Sequence, residues 1–274
     1  MSVNSVLTLV GVSTSGYYSW LKRTPSNQEI RKQEVSDEIT EIYNESKQIY
    51  GAPKIASILC SRGHVIAERT VSTYMKELGI RAIWVRPYVK TTIDPDFDIK
   101  LKNVLARHFT PDKPNAVWVT DITYIHTLSG FMYLTSVMDL FSRKIIGWHL
   151  SDSLSTQGVI KAIQKAKKNR QTNHPIIIHS DRGCQYVSKA YIAEMPAKDF
   201  IRSYSAKGTP WDNACIESFH ALIKREWLNR FVIKHLKHAH ELVFEYIETF
   251  YNTTRIHSCC NMQSPHDFEA SFAG

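Results

Sequence analysis

Three carboxylates in the second half of the chain stand where an acid is either costly or conspicuous. Asp121 interrupts an apolar run, WVTDITYI, and a carboxylate inside a strand is expensive to bury unless paired or bound to metal. Asp181 follows another apolar run, IIIHSDRG, where parallel strands of open α/β sheets present functional groups. Glu217 lies near the start of a helical pattern, WDNACIESFHALIKREW, at the rim of a stripe formed by Ile216, Phe219, Ile223 and Trp227. Singly, each has an ordinary structural explanation: an inward-tilted strand Asp, a loop Asp, a first-turn Glu favoured by the helix dipole. Together they are a set of hard oxygen donors. Magnesium prefers such donors and commonly takes few protein ligands besides water and substrate phosphate. Two ions held about 3.5–4 Å apart can activate an attacking oxygen and stabilise the leaving one in phosphodiester chemistry.

The elements that must position these acids follow from hydrophobic periodicity. AVWVTDITYIHT is rich in strand formers, Val117, Val119, Ile122 and Tyr124 among them. Turns at Leu128-Ser129-Gly130 and at Phe141-Ser142-Arg143 join it to FMYLTSVMDL and KIIGWHL, which predicts an antiparallel meander of three strands. An amphipathic helix follows, with Val159, Ile160, Ile163 and Ala166 inward and Lys161, Lys165, Lys167 and Lys168 outward. PIIIHSD then suits a buried parallel strand. Asp212 or Asn213 is placed to cap the Glu217 helix. Three antiparallel strands followed by alternating helix and strand is the order of a ribonuclease H-like domain, an analogy of fold that by itself implies no activity.

Residues 1–85 have a different texture, short helices with basic punctuation. GAPKIASILCSRGHVIAERTVSTYMKELGI reads as two helices, with Ile55, Ile58 and Leu59 on the first and Val71, Tyr74, Met75 and Leu78 on the second. Arg62-Gly63-His64 breaks the pair and Gly79 ends it. This is helix-turn-helix length, with Arg69, Thr70, Ser72 and Lys76 on the outer side; an ordinary helical hairpin fits the pattern equally. GVSTSGYYSWLKR looks like the end of another such unit, with Ser13 or Ser15 as cap. Residues 86–115 hold four prolines and alternating charge, and read as a linker with a short helix inside. The expected fold is α/β: a ribonuclease H-like domain over 116–274, a mixed five-stranded sheet with flanking helices, preceded by a small all-helical helix-turn-helix region.

The 274 residues suffice for a sizeable core, and the net charge of +8 suits a polyanionic partner as well as a basic soluble enzyme. Five cysteines without CxxC pairing point to a reducing compartment, and neither a signal peptide nor a membrane-spanning run is present. The expected location is cytoplasmic.

The spacing of the acids, 59 residues (122–180) and then 35 (182–216), resembles that of the DDE transposase and retroviral integrase superfamily. The surrounding words WVTDITYI, GWHL, HSDRGCQY, KGTPWDNACIESFHALIKRE and YNTTRIHS are similar to those of OrfB transposases of the insertion-sequence-three family, as are GVSTSGYYSWLKR and YGAPKIASIL. The resemblance covers nearly the whole chain. It implies that Asp121, Asp181 and Glu217 are catalytic and bind two Mg2+ ions, with Mn2+ able to substitute. It implies hydrolysis at an element's end, then attack by the freed 3′-hydroxyl on a second phosphodiester, by way of a circular intermediate. It also implies DNA as substrate, a homo-oligomer on DNA, and an upstream OrfA-type protein or fused segment as partner.

Lys224, two helical turns beyond Glu217, shares its face and is a candidate phosphate ligand, the family having Lys or Arg there; the alternative is a solvated lysine. Lys207, in the KGTP segment, reads as part of a mobile loop over DNA. Arg69 and Lys76 are further candidate DNA contacts. Gln185 and Tyr186 either touch DNA or pack. The histidines of KHLKHAH lack partners at zinc-ligand spacing, and Arg255 and His257 recur in the family without an assigned physical role. Two rival readings are a ribonuclease H-like nuclease that cuts without joining and a DNA-binding regulator that has lost catalysis.

Overall fold

This computed structural model describes residues 2–83 and 101–273, and the chain forms two compact units, Met1–Ala82 and Ile83–Gly274. The first unit is helical. Helices α1 (Val3–Leu9) and α2 (Thr14–Leu21) are each opened by a serine hydroxyl, Ser2 and Ser13, that accepts a first-turn N–H. Of the two serines expected as caps for α2, Ser13 takes the role. Helix α3 (Asn27–Glu45) begins with a capping box in which Ser26 and Glu29 satisfy each other's backbone N–H. Its buried Val35, Ile39 and Ile42 pack with Ile55 and Leu59 of α4 (Ala52–Ser61) and Val71 and Met75 of α5 (Glu68–Glu77). Gly63, just past the α4 C-cap Arg62, has φ +96°, a conformation that side chains disfavour. Leu78 departs from expectation: α5 ends at Glu77, and Leu78 becomes an exposed C-cap. Arg69, Ser72 and Lys76 are exposed, and Thr70 is half-buried.

Of the expected linker, residues 86–100 lie outside those described. Residues 101–115 contain no helix and are held to the second unit. Leu105 is buried, the Ser203 hydroxyl accepts from the N–H groups of Val104 and Leu105, and Arg143 donates to the Phe109 carbonyl. A segment that buries its apolar residue and satisfies its backbone in this way is part of the core.

The second unit is built on the expected mixed sheet. Strands β1 (Val117–Thr127), β2 (Gly130–Asp139) and β3 (Ile145–Ser151) form an antiparallel meander. Strands β4 (Ile176–Ser180) and β5 (Phe200–Tyr204) extend it in parallel, giving the order β3-β2-β1-β4-β5, a mixed five-stranded sheet as expected of a ribonuclease H-like domain. Gly130, at φ +109°, closes the tight first turn. At the second, buried Asp139 accepts from the N–H groups of Asn115 and Phe141; burial nevertheless pushes its carboxyl up to about 6.

Side chains alternate across β1, so the two faces receive different helices. Trp118 faces α6 (Thr156–Asn169), whose Val159, Ile163 and Ala166 are buried in the same apolar cluster while its four lysines stay exposed. The short helices α7 (Cys184–Val187) and α8 (Lys189–Glu194) add Tyr186 and Tyr191 to that cluster. Asp121 has the opposite parity and faces α9 (Ala214–Glu226). No described helix is long and apolar enough to cross a membrane.

The C-terminal segment braces α9. Helix α10 (Leu236–Phe244) is capped by His235, whose ring accepts the His238 backbone N–H, so one histidine of the KHLKHAH run has a capping role. A π-helical turn, Glu245–Tyr251, follows. Arg255, which had no assigned role, makes a two-pronged ion pair with Glu226 at the end of α9, at 2.6 and 2.8 Å, and the Tyr246 hydroxyl donates to the same carboxylate. Helix α11 (Pro265–Ala273) carries Glu269, which accepts from Ser142, Lys144 and Arg170.

Two substitutions test this packing. A Cβ at Gly147 on β3 would press on the Ala162 carbonyl and sit 2.7 Å from the Ala166 nitrogen, so Gly147→Ala is expected to destabilise the fold by about 1–3 kcal/mol in denaturant unfolding. Arg255→Leu leaves Glu226 charged and buried, and is expected to cost about 3–5 kcal/mol, with part regained in the Arg255→Leu/Glu226→Leu double variant.

Candidate active site

The first two acids meet through strand register. Strands β1 and β4 pair in parallel only as far as Val119 opposite His179, so two residues further on Asp121 stands level with Asp181. Neighbouring strands are about 4.8 Å apart. Beyond that point β4 has ended, which leaves the site open on this side of β1. Asp181 is turned by its own loop, its Oδ1 accepting the Gly183 N–H at 2.9 Å.

Glu217 arrives from above the sheet on a helix whose setting is fixed by neighbours on the same face. Asn213, Glu217, His220 and Lys224 are spaced four, three and four residues apart and so form one stripe. Asn213 Nδ2 donates to the Thr120 carbonyl, His220 Nδ1 lies 3.3 Å from Asp121 Oδ2, and Lys224 Nζ sits 4.3 Å above the Tyr124 ring. Three of the four positions thus touch β1, at Thr120, Asp121 and Tyr124, and half-buried Glu217 lies between Asn213 and His220 on the stripe.

Expectation and structure differ over the helix start. Neither Asp212 nor Asn213 gives α9 a side-chain cap. The Asn213 amide is committed to β1, while Asp212 accepts from Ala206 N–H, Thr209, Asn103 and Arg107. Burial alone would raise the Asp212 carboxyl; these donors outweigh it and hold the group down to about 2. Asp212 also bears on the loop that carries Lys207. The Ala206 N–H and the Thr209 hydroxyl flank Lys207 and Gly208 and both donate to one Asp212 oxygen, so both ends of this loop are tied to one carboxylate. The Lys207 side chain is exposed.

Lys224 differs from a solvated lysine. It is half-buried, burial pushes its ammonium down, and the Asp121 charge opposes that shift. Tyr186 packs: it is buried, with its hydroxyl 3.4 Å from Thr120 Oγ1. Burial, and then the negative charges of Asp121 and Asp181, raise its phenol well above the usual range, so both acids act on one buried hydroxyl. His220 and Ser136 complete the surroundings and went unnoticed in the sequence. The signal for His220 was its place next to Phe219 on the buried side of an otherwise apolar stripe.

Among the described residues no three His, Cys, Asp or Glu side chains close around one point as a ready metal cage. The donor set nonetheless suits a hard cation. Asp121 Oδ1 carries no hydrogen bond from the described residues, and magnesium needs few protein oxygens when water and phosphate complete its shell.

Residues 111–210 and 200–265 match family models described as integrase core domain, and residues 30–88 match one described as an HTH-like domain. Transposase InsF for insertion sequence IS3A, from Escherichia coli (strain K12), is 34% identical over 272 residues, covering 98% of this chain and 94% of that protein. The transposase for insertion sequence element IS904, from Lactococcus lactis, is 34% identical over 249 residues, covering 91% and 98%. Among solved structures, the HTLV-2 integrase catalytic core domain in complex with magnesium (dimeric form) has a TM-score of 0.44 at 15% identity, over 58% of this chain and 98% of that one. The simian T-cell lymphotropic virus intasome has a TM-score of 0.48 at 12% identity, over 84% and 74%. Identity of this level to curated transposases over almost the full length decides the matter: the chain belongs to the IS3 family of insertion-sequence transposases, with an integrase core domain behind a helix-turn-helix-like region.

Proposed function

We propose that this transposase cuts and rejoins DNA at the ends of an insertion sequence, using Asp121, Asp181 and Glu217 as a magnesium site. The observation that carries the reading is the β1/β4 register, which sets Asp121 level with Asp181 at the open end of the sheet beneath the stripe bearing Glu217. When bound, a pair of magnesium ions (or manganese in their stead) supplies Lewis-acid polarisation of the phosphoryl group and stabilises charge on the attacking and leaving oxygens.

The chain's own residues do the holding and orienting. Asp121 offers Oδ1 while Oδ2 is engaged by His220. Asp181 is oriented by the Gly183 N–H, and Glu217 by the contacts of its helix with β1. Lys224 is suited to hold a DNA phosphate, because a partly desolvated cation interacts more strongly with an anion than one in bulk water. Lys207 on the loop before α9, and exposed Arg69 and Lys76 on α5, are proposed as further phosphate contacts; such contacts give affinity and register without reading sequence. A 3′-hydroxyl that attacks directly makes a Ser, Tyr or Cys nucleophile unnecessary. Pairing two ends calls for more than one copy on the DNA, and an upstream OrfA-type protein or fused segment is proposed to share in end recognition.

The test uses DNA fragments carrying the element's ends. Asp121→Asn, Asp181→Asn and Glu217→Gln are each expected to lower strand transfer by about 10³-fold or more while end binding in a gel-shift assay stays close to that of the unaltered chain. Full joining by any one of them would sink the assignment. Cut but unjoined ends from the unaltered chain would favour the nuclease instead. Chelation by EDTA is expected to stop joining, and added Mg2+ or Mn2+ to restore it.

A further inference from the structure

We infer that His220 is a positioning residue of this site, a side chain that fixes where the carboxylates of Asp121 and Glu217 stand. The inference depends on the assignment of those acids made above.

His220 is buried, with 5% of its surface exposed, and projects from α9 three residues after Glu217. Its ring joins two strands. Nδ1 lies 3.3 Å from Asp121 Oδ2, and Nε2 lies 3.2 Å from Ser136 Oγ. Ser136 and Asp121 are direct cross-strand partners, so the imidazole closes a bridge over the β1–β2 ladder. The partners dictate the direction of each bond. An ionised carboxylate can only accept, so Nδ1 carries the proton and donates to Asp121. In the neutral ring Nε2 then accepts, and the Ser136 hydroxyl donates to it.

Ser136, His220 and Asp121 are therefore connected like a nucleophilic triad, but the serine is in the wrong place for one. A triad serine must reach substrate, and Ser136 has no exposed surface. A positional role remains, and it has two parts. His220 supplies the single hydrogen bond that the Asp121 carboxylate receives among the described residues, so it stops rotation of the carboxylate and leaves Oδ1 for an incoming ligand. It is also a polar tether of α9 on the sheet. Asn213 holds the Thr120 carbonyl one turn before Glu217, and His220 holds Asp121 one turn after it. Two anchors on either side of a residue fix the rotation of a helix about its axis, and with it the direction of Glu217. The bridge thus sets two acids from different elements against each other.

Removing hydrogen-bond partners of metal-ligating groups typically costs 10–100-fold in metal affinity. The test measures Mn2+ binding to the full chain by electron paramagnetic resonance, the Mg2+ concentration giving half-maximal strand transfer, and thermal unfolding. His220→Ala is expected to weaken Mn2+ binding about tenfold and to raise the half-maximal Mg2+ by a similar factor. His220→Gln keeps a donor for Asp121 and an acceptor for Ser136, and is expected to recover most of the loss. Wild-type Mn2+ affinity in a folded His220→Ala overturns the inference. If that variant does not fold, Ser136→Ala decides: it keeps the ring but removes its outer anchor, a smaller loss of Mn2+ affinity is expected, and unchanged affinity overturns the inference. Asp121→Asn, measured alongside, separates the two claims. If it still joins DNA, the acid assignment fails; if it is inactive while His220→Ala binds metal normally, only the role of His220 fails.

Discussion

A carboxylate in the central strand of a sheet must stay charged without being neutralised by an ion pair, and much of this domain is arranged around Asp121 in that position. Pairing it with a lysine or arginine at contact distance would remove the cost of burial but also occupy the oxygens. The structure uses a weaker device. One oxygen receives a single imidazole bond, Lys224 stands near enough to act through its charge, and β4 stops short so that this side of the strand stays open. Asp121 therefore keeps an available oxygen inside the sheet.

The other elements follow from that constraint. The meander gives β1 a partner on one side and supplies Ser136 as the outer anchor of His220. The parallel strand β4 brings Asp181 level with Asp121, which requires the crossover through α6 and the close approach at Gly147. Helix α9 lies on the face opposite α6, held at its start by Asn213 and at its end by the buried Glu226–Arg255 pair. Asp212, which caps nothing, organises the approach to that helix through four donors from two chain segments. Each of these residues lies outside the acid trio, and each restrains an element that carries one of the acids.

Much of this was legible beforehand. Strand and helix periodicity located the first four strands, the two turns of the meander and helices α4, α5, α6 and α9, because burial on one face imposes a period that the residues must obey; α3 and β5 were not picked out. Asp121, Asp181 and Glu217 stood out because an acid that breaks an apolar pattern is visible in one dimension. The readings that failed were of another kind. The capping role of Asp212 or Asn213 and the linker character of 101–115 were local inferences about residues with partners far along the chain, such as Asn103, Arg107, Thr120 and Ser203.

The sequence by itself thus determined the alternation of elements and the family, since periodicity, residue type and spacing are properties of the chain alone. Only the tertiary structure decided what each polar side chain does. Arg255 meets Glu226 across 29 positions, His220 meets Ser136 across 84, and Asp212 meets Arg107 across 105. A hydrogen bond of about 3 Å between residues so far apart leaves no periodic trace, because it depends on where two elements cross and not on how either is composed.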